Sequence, residues 1–360
     1  MSVSVENQSN VEASVRPVPR LDEGAEFKIL RCDVAQWEGD WDPAKYDAGI
    51  ASEILQSHVE DAVEAEKLGF DGVMTTEHHF DGWTLIPSPN VYLSAVAART
   101  SRIRLGQTVQ VLPFHSPWRL AEEVGMLDAL SGGRAEIGVG KGNFSIEKSR
   151  LGLDDASTAA RFGEGLKLLT AAMSDSDITH DGEYYQITQP STVYPRPYPG
   201  LRPWVAALSP KSIAAAGAGG HNLMSFMGWG SHEILSTYVE AGEKNGHELS
   251  GANFMTNVSI IVAPTEAEAK ETQSKAKESA WETMMRRGLP KDEAERFLPR
   301  FSGAVVGTPQ QVVEQLSHDV GIAGARRLNV IMRLRSIPRQ ASEQTMRMFA
   351  AEVMPELRKL

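Results

Sequence analysis

A carboxylate and two imidazoles stand side by side in this chain at Glu77, His78 and His79. They follow residues 73–76, an apolar and β-branched run that is typical of a short buried strand. An imidazole can exchange protons near neutral pH, and a carboxylate can orient it. A buried polar group without a partner costs about 1–3 kcal/mol. Three such groups at a strand end therefore indicate either a hydrogen-bonded core cluster or a catalytic site, and these residues alone favour neither.

The composition of the chain argues against several classes of function. Its 360 residues carry a net charge of −11 and a pI near 5.4, which does not suggest the basic face that a nucleic acid requires. Cys32 is the only cysteine, so intramolecular disulfides and cysteine-rich metal sites are excluded, and we expect no metal site and a cytoplasmic location. No stretch reaches the roughly 20 apolar residues of a membrane span, and residues 1–26 are interpreted as a polar N-terminal tail.

Strand-like and helix-like segments alternate along the rest of the chain. The predicted strands are residues 27–32, 73–76, 103–112, 134–140, 203–207, 223–227, 254–263 and 327–332. This alternation predicts an α/β fold with a parallel sheet, and eight units favour closure into a (β/α)8 TIM barrel with insertions. We expect one domain over residues 27–360, with excursions near 143–157, 179–202 and 286–306. The last of these is expected to be a mobile lid or excursion.

A glycine-rich stretch at residues 138–142 superficially resembles a dinucleotide-binding fingerprint. Its third glycine comes one place early, and no helix is predicted to open there. A pyridine-nucleotide site is therefore disfavoured.

A series of motifs carries a family resemblance. In chain order they are Glu77-His78-His79-Phe80, Pro87-Ser88-Pro89, residues 98–106 (ARTSRIRLG), Val111-Leu112-Pro113, residues 127–134 (LDALSGGR), residues 138–142 (GVGKG), residues 206–212 (AALSPKS) and Gly307-Thr308-Pro309. Their order and spacing resemble the luciferase-like flavin-dependent monooxygenases, of which bacterial luciferase is the prototype. The resemblance covers residues 27–355 and is most specific over 69–142.

The resemblance implies an activity and its partners. A luciferase-like barrel would bind reduced FMN at its carboxyl-terminal mouth, with the FMN supplied by a separate flavin reductase. O2 would then form a C4a-hydroperoxyflavin that oxygenates a small organic, apolar substrate. The resemblance also implies a homodimer formed through the helices after the second and third strands.

The resemblance assigns roles to the polar residues of the second strand end. His78 matches the catalytic imidazole, which would act as a general base or proton donor near the flavin and the substrate. Glu77 is expected to orient a neighbour by a charge-assisted hydrogen bond. His79 is expected to point to the other side of the strand and to be structural.

Other matched positions predict the flavin site. Lys141 stands where the pattern has a phosphate-binding arginine, although a surface lysine beside Glu147 is the alternative. Ser209 and Ser212 are expected to bind the phosphate at a helix start, where plain N-caps would look the same. The segment Gln107, Thr108 and Val109 matches the part that lies against the isoalloxazine ring, and a non-proline cis peptide bond is predicted at Thr108–Val109.

Two further residues complete the predicted site. Glu147 matches an acidic position near the flavin, and a solvated loop acid is an equally good interpretation. Trp229 is one of several aromatic residues that could line an apolar substrate pocket, and an ordinary core position is the alternative.

Two other functions remain compatible with the same motifs. One is a deazaflavin-dependent oxidoreductase that transfers hydride on the same fold. The other is a non-catalytic flavin-binding subunit, against which the presence of His78 counts. The identity of the substrate depends on loops 33–50, 143–157 and 286–306, whose sequence has no readable code.

Overall fold

The computed structural model describes residues 18–80, 82–174, 177–226, 231–335 and 337–360. Its strands are β1 (Lys28–Asp33), β2 (Gly72–Thr75), β3 (Arg104–Gln107), β4 (Gln110–Val111), β5 (Gly138–Gly140), β6 (Ile178–Asp181), β7 (Gln186–Ser191), β8 (Trp204–Ala206), β9 (Asn222–Phe226), β10 (Phe254–Val262), β11 (Val305–Gly307) and β12 (Arg327–Ile331). Its α-helices are α1 (Ala48–Lys67), α2 (Pro89–Ala97), α3 (Pro117–Leu130), α4 (Ser145–Arg150), α5 (Asp155–Ser174), α6 (Pro210–Ala218), α7 (Ser231–Glu243), α8 (Glu266–Arg287), α9 (Lys291–Phe297), α10 (Pro309–Ala323), α11 (Arg339–Met348) and α12 (Met354–Leu357).

The main sheet is parallel and almost closes into a barrel. Its strands follow the order β3, β2, β1, β12, β10, β9, β8, β5, β4. The first and last members of this order are consecutive in the chain, and a bridge between Leu105 and Ala135 joins β3 to the segment before β5. The predicted TIM barrel with insertions is confirmed. Among the described residues, no helix is long and apolar enough to cross a membrane.

Several predicted elements differ in detail. The strand predicted over residues 103–112 is two pieces, β3 and β4, which flank a non-proline cis peptide bond at Thr108–Val109. The predicted fourth strand shortens to β5. Residues 286–306, expected to be an irregular excursion, contain α9, a 3-10 helix (Leu298–Phe301) and the start of β11, which extends the sheet beside β10.

The amino-terminal end of the barrel is closed by residues 18–26. Leu21 is fully buried there, and its N–H donates to Glu136 Oε1 at 2.9 Å. Arg20 reaches across the opening and donates to the carbonyl oxygens of Ala135 and Tyr198. We call residues 18–26 and the side chains that bind them the floor. The part of the predicted tail before residue 18 lies outside the described residues.

The carboxyl-terminal end of the barrel is covered by two excursions that contact each other. Glu293 on α9 accepts hydrogen bonds from the backbone N–H and the hydroxyl of Ser145, at the start of α4. The rings of Phe144 and Phe297 lie 4.9 Å apart at the same contact. The helix α8, which leads into α9, begins at a Thr265–Glu268 capping box and ends at Gly288 with φ 82°. We call this end of the barrel the mouth.

Candidate active site

His78 lies just beyond β2 and is oriented by a buried carboxylate. Its Nδ1 lies 2.9 Å from Glu147 Oε1, and Glu147 is only 2% exposed. Burial opposes ionisation of Glu147, but His78, Arg287 and the backbone N–H of His79 hold its pKa below its usual range. An ionised carboxylate only accepts hydrogen bonds, so Nδ1 of His78 must carry the proton. Nε2 is then the nitrogen available for chemistry.

Arg287 completes this arrangement from the last turn of α8. Its Nη2 donates to Glu147 Oε1 at 2.8 Å, and its guanidinium lies 4.4 Å from the ring centre of Phe144 and 4.9 Å from that of Trp83. The same two rings contact the imidazole of His78, with centroids 5.1 Å and 6.3 Å away. The aromatic side chains therefore fix both Arg287 and His78 relative to Glu147. The alternative of a solvated loop acid at Glu147 is wrong, because this acid is buried between His78 and Arg287.

Glu77 forms a separate cluster on the other side of the strand end. His79 Nε2 lies 2.7 Å from Glu77 Oε1, and His115 Nε2 lies 2.9 Å from both carboxylate oxygens. The backbone N–H of Val111 also donates to Glu77, at 3.0 Å. Burial would raise the pKa of Glu77, yet the hydrogen bonds from His115 and His79 lower it to about 2. These hydrogen bonds hold the side chains of His79 and His115 against Glu77.

A cavity of about 1310 Å³ opens at the mouth. Ligand sites typically measure about 300–1,000 Å³, so a cofactor and a second small molecule both fit. The predicted site residues that line it are Glu77, His78, Thr108, Val109, Lys141, Glu147, Ser209 and Ser212. The fold therefore brings together residues from the ends of four different barrel segments.

The serines form one end of this cavity, at the start of α6. Ser209 and Ser212 make a reciprocal capping box, in which each hydroxyl accepts from the backbone N–H of the other residue. Lys211 and Lys141 line the same cavity. The geometry of the serines is that of ordinary N-caps, and the two lysines add the positive charge that an anion site requires.

Two predicted site residues do not line the cavity, and a third lies outside the described residues. The side chain of Gln107 is fully buried and does not line the cavity, because its Nε2 donates to Asn90 Oδ1 at 2.8 Å and its Oε1 accepts from Gly138 N. The predicted contact of the 107–109 segment with the cofactor would therefore have to come from Thr108 and Val109. His79 also does not line the cavity, since it faces Glu77. Trp229 lies outside the described residues.

The cavity wall fits a flavin nucleotide in two respects. Thr76 Oγ1 is buried in the cavity wall and has no hydrogen-bond partner among the described residues, as expected for an atom that meets a polar ligand. At Gly140 an added Cβ would come within 2.7 Å of Val109 Cγ2, so only glycine allows these two segments to approach so closely. The polar wall beside the cis peptide bond can therefore receive a ring system, and the end of the cavity that carries the two lysines can receive a phosphate.

Comparisons with known proteins agree with this geometry. The model of the family described as luciferase-like monooxygenase matches residues 41–326. The oxygenase component of the flavin-dependent trigonelline monooxygenase of Acinetobacter baylyi is 34% identical over 44% of this chain and 45% of that protein. An F420-dependent glucose-6-phosphate dehydrogenase of Beutenbergia cavernae is 31% identical over 58% of this chain and 65% of that protein. The chain spans about half the length of the curated relatives at the highest identities.

The fold also has solved counterparts. The monooxygenase RslO1 of Streptomyces bottropensis superposes with a TM-score of 0.79 at 26% identity, over 91% of this chain and 99% of that one. About nine-tenths of the chain therefore has a structural equivalent in a protein named as a monooxygenase.

Proposed function

The chain belongs to the luciferase-like monooxygenase family, and on that premise we propose that it is the oxygenase component of a two-component system. It would take reduced FMN from a separate flavin reductase and use O2 to oxygenate a small organic substrate. The relative named as a flavin-dependent oxygenase component supports a flavin cofactor and the division of the reaction between an oxygenase and a separate reductase. Because that relative is one component of a monooxygenase, we expect a separate reductase partner for this chain.

The observation that carries the proposal is the position of His78 and Glu147 in the same cavity as Lys141, Ser209 and Ser212. Reduced FMN, when bound, supplies the electrons that activate O2. Lys141, Lys211 and the two serines would hold its phosphate, while Thr108, Val109 and the Thr76 hydroxyl would meet its ring system. His78 is placed to give or take a proton at Nε2 because Glu147 occupies Nδ1.

Water exclusion is the second task that the chain can perform. Phe144, Phe297 and Phe301 line the mouth of the cavity, and Trp83 packs against Phe144 and Phe301. An apolar cover strengthens electrostatic interactions inside a site and keeps water from intermediates. Phe144 belongs to the first excursion and Phe297 and Phe301 to the second, so the contact between the two excursions would help to keep water out of the cavity.

A homodimer and a cytoplasmic location belong to the same proposal. The outer faces of α2 and α3 expose Val91 by 71%, Leu130 by 69%, Met126 by 51% and Trp118 by 41%. Exposed apolar side chains on neighbouring helices are typical of a protein interface. The single cysteine, Cys32, is a free and buried thiol, which supports a reducing cytoplasm.

An anaerobic titration distinguishes the proposal from its main rival. Reduced FMN and reduced F420 would be added separately to the cofactor-free protein, and binding would be followed by difference absorbance and by tryptophan fluorescence. We expect tighter binding of reduced FMN and, on admission of O2, oxidation kinetics that differ from those of free reduced FMN. Tighter binding of F420 would replace the proposal with hydride transfer. Binding of FMN without any effect on its reaction with O2 would favour a non-catalytic subunit.

A further inference from the structure

The carboxylate that orients His78 is carried by an excursion and not by a barrel strand. Glu147 lies on α4, and its Oε1 lies 2.9 Å from Nδ1 of His78 and 2.8 Å from Nη2 of Arg287. His78 follows β2 of the barrel, whereas Arg287 ends α8, the helix that leads into the second excursion. The hydrogen bond that fixes the proton on Nδ1 therefore exists only while α4 lies against the barrel.

The second excursion holds the first residue of α4. Glu293 on α9 is 8% exposed, and its carboxylate accepts from the hydroxyl of Ser145 at 2.7 Å and from the backbone N–H of Ser145 at 3.3 Å. Hydrogen bonds to carboxylates are among the stronger ones in proteins. Ser145 and Glu147 share the first turn of α4, so a contact that fixes Ser145 also fixes the position of Glu147.

An apolar cluster joins the same two excursions to the barrel beneath them. The rings of Phe144 and Phe297, one from each excursion, lie 4.9 Å apart. Both rings belong to a buried cluster that includes Cys32 on β1 and Ile331 on β12. Cys32 is 2% exposed and lines the cavity. Movement of the excursions away from the barrel would open this cluster and expose the thiol.

We propose that Glu293 is a positioning residue for His78, which it reaches through α4. While Glu293 holds the first turn of α4, Glu147 occupies Nδ1 and leaves Nε2 of His78 for the reaction. When the excursions part, the imidazole loses its carboxylate, and either ring nitrogen can carry the proton. The proton state of His78 is thus linked to closure of the mouth, so the imidazole is prepared when water is excluded. This assignment rests on the proposed function in taking His78 as the reacting group.

The ¹⁵N shifts of the His78 ring test this link without cofactor or substrate. They distinguish a protonated from an unprotonated ring nitrogen, and His78→Gln would assign the signals. At alkaline pH, where imidazoles are neutral, we expect His78 in the wild type to carry its proton mainly on Nδ1. Glu293→Ala should give a mixture of the two tautomers. Glu293→Gln should restore the wild-type shifts, because an amide can still bond both groups of Ser145.

Alkylation of Cys32 measures the opening of the same excursions. Burial raises the pKa of this thiol to about 11, so the closed protein should react slowly with iodoacetamide. When opening and closing are fast, the rate at fixed pH follows the fraction of open molecules. Glu293→Ala should raise the rate at least about tenfold, which corresponds to about 1.4 kcal/mol. The double variant with Ser145→Ala should react no faster, because both changes break the same contact.

A matched control and a second variant keep the test specific. Glu295→Ala removes a carboxylate from an exposed position on the same helix, α9, and should leave both the His78 shifts and the alkylation rate unchanged. Ser145→Ala removes only the hydroxyl from an exposed position, so it should show a weaker form of both effects. It also replaces Glu293→Ala if circular dichroism shows that this variant does not fold.

Several outcomes would overturn the assignment. Wild-type His78 shifts in Glu293→Ala would do so even if Cys32 reacted faster, because opening would then not reach the imidazole. An unchanged alkylation rate in Glu293→Ala, or an equal increase in Glu295→Ala, would also exclude the positioning role. FMN binding is measured separately. Failure of FMN to bind, together with the expected changes at His78 and Cys32, would refute the proposed function and leave the link between closure and the proton state intact.

Discussion

The two ends of this barrel bury similar charged groups but complete their hydrogen bonds differently. At the floor, Arg104 donates to Glu136 and to the carbonyl oxygens of Gly133 and Ala135, and Arg327 donates to those of Glu26 and Gly24. Both oxygens of Glu136 are bound, one by Leu21 N and the other by Trp204 Nε1. At the mouth, His78, Thr76 and Arg300 line an open cavity.

This difference distinguishes buried charged residues that stabilise the fold from buried charged residues that act on ligands or turnover. Both ends carry buried arginines and glutamates, so burial alone does not identify a site. The polar atoms of a floor residue are hydrogen-bonded within the chain, so substitution of that residue is expected to change the free energy of unfolding. A mouth residue keeps polar atoms toward the cavity and is expected to affect ligands and turnover. Variants at each end can test whether these effects are in fact separate.

The largest effect on turnover is expected for His78→Gln. Loss of a positioned general acid or base typically lowers the rate by about 10²- to 10⁴-fold. Single-turnover reactions with photoreduced FMN, O2 and a verified substrate would measure it. Urea denaturation would show a free energy of unfolding close to that of the wild type, since the side chain faces the cavity. Unchanged turnover in a variant that binds FMN normally would remove His78 from the mechanism.

The largest effect on stability is expected at the floor, for Glu136→Gln. The change leaves Arg104 buried without its carboxylate, and such a loss typically costs about 3–5 kcal/mol. Urea denaturation should show this cost, whereas FMN affinity of the folded protein should be unchanged at moderate temperature. Reduced affinity without a change in stability would contradict the division between floor and mouth.

Glu77 lies near the mouth, but both of its carboxylate oxygens are hydrogen-bonded within the chain, like those of Glu136 at the floor. Its pKa is lowered from 4.5 to about 2, so the folded state favours the ionised form by about 3 kcal/mol. This contribution is fully present above pH 4.5 and is lost as the pH falls toward 2. Urea denaturation between pH 7 and pH 3 should show a decline below about pH 5. Glu77→Gln should be less stable at pH 7 and should show a shallower decline.

Arg287→Met tests a residue that is bound within the chain and yet lies beside the cavity, because the charge of Arg287 acts on His78 through Glu147. We expect a fall in turnover of about tenfold, close to 1.4 kcal/mol, from poorer positioning of the imidazole. The ¹⁵N shifts of His78 should also change, which a purely structural role for Arg287 would not require. Arg286→Met, an exposed neighbour on α8, is the matched control. Equal losses of turnover in both variants would exclude the positioning role.

The parts that were predictable from sequence are those encoded by local patterns. The strand and helix alternation predicted the barrel, and the motif around Thr108 predicted the cis bond, which is confirmed. The direction of the Gln107 side chain was not predictable from the motif, because neighbouring strand residues face opposite ways and this one is hydrogen-bonded to Asn90. Arg287 was missed because its partner lies far away along the chain. Arg287 is separated from Glu147 by 140 residues, and no periodicity in the 286–306 segment encodes that pairing.

The smallest effect is expected for Lys141→Arg, at an exposed position of the mouth. A guanidinium can bind a phosphate with two parallel hydrogen bonds, whereas the lysine ammonium acts as a point charge. Because exposed charges contribute about 1 kcal/mol or less, we expect FMN affinity to rise only a few-fold. Riboflavin, which lacks the phosphate, is the control and should bind equally to both proteins. An equal gain for riboflavin would place Lys141 away from the phosphate, and the cationic end at α6 would then depend on Lys211 and the backbone of Ser212.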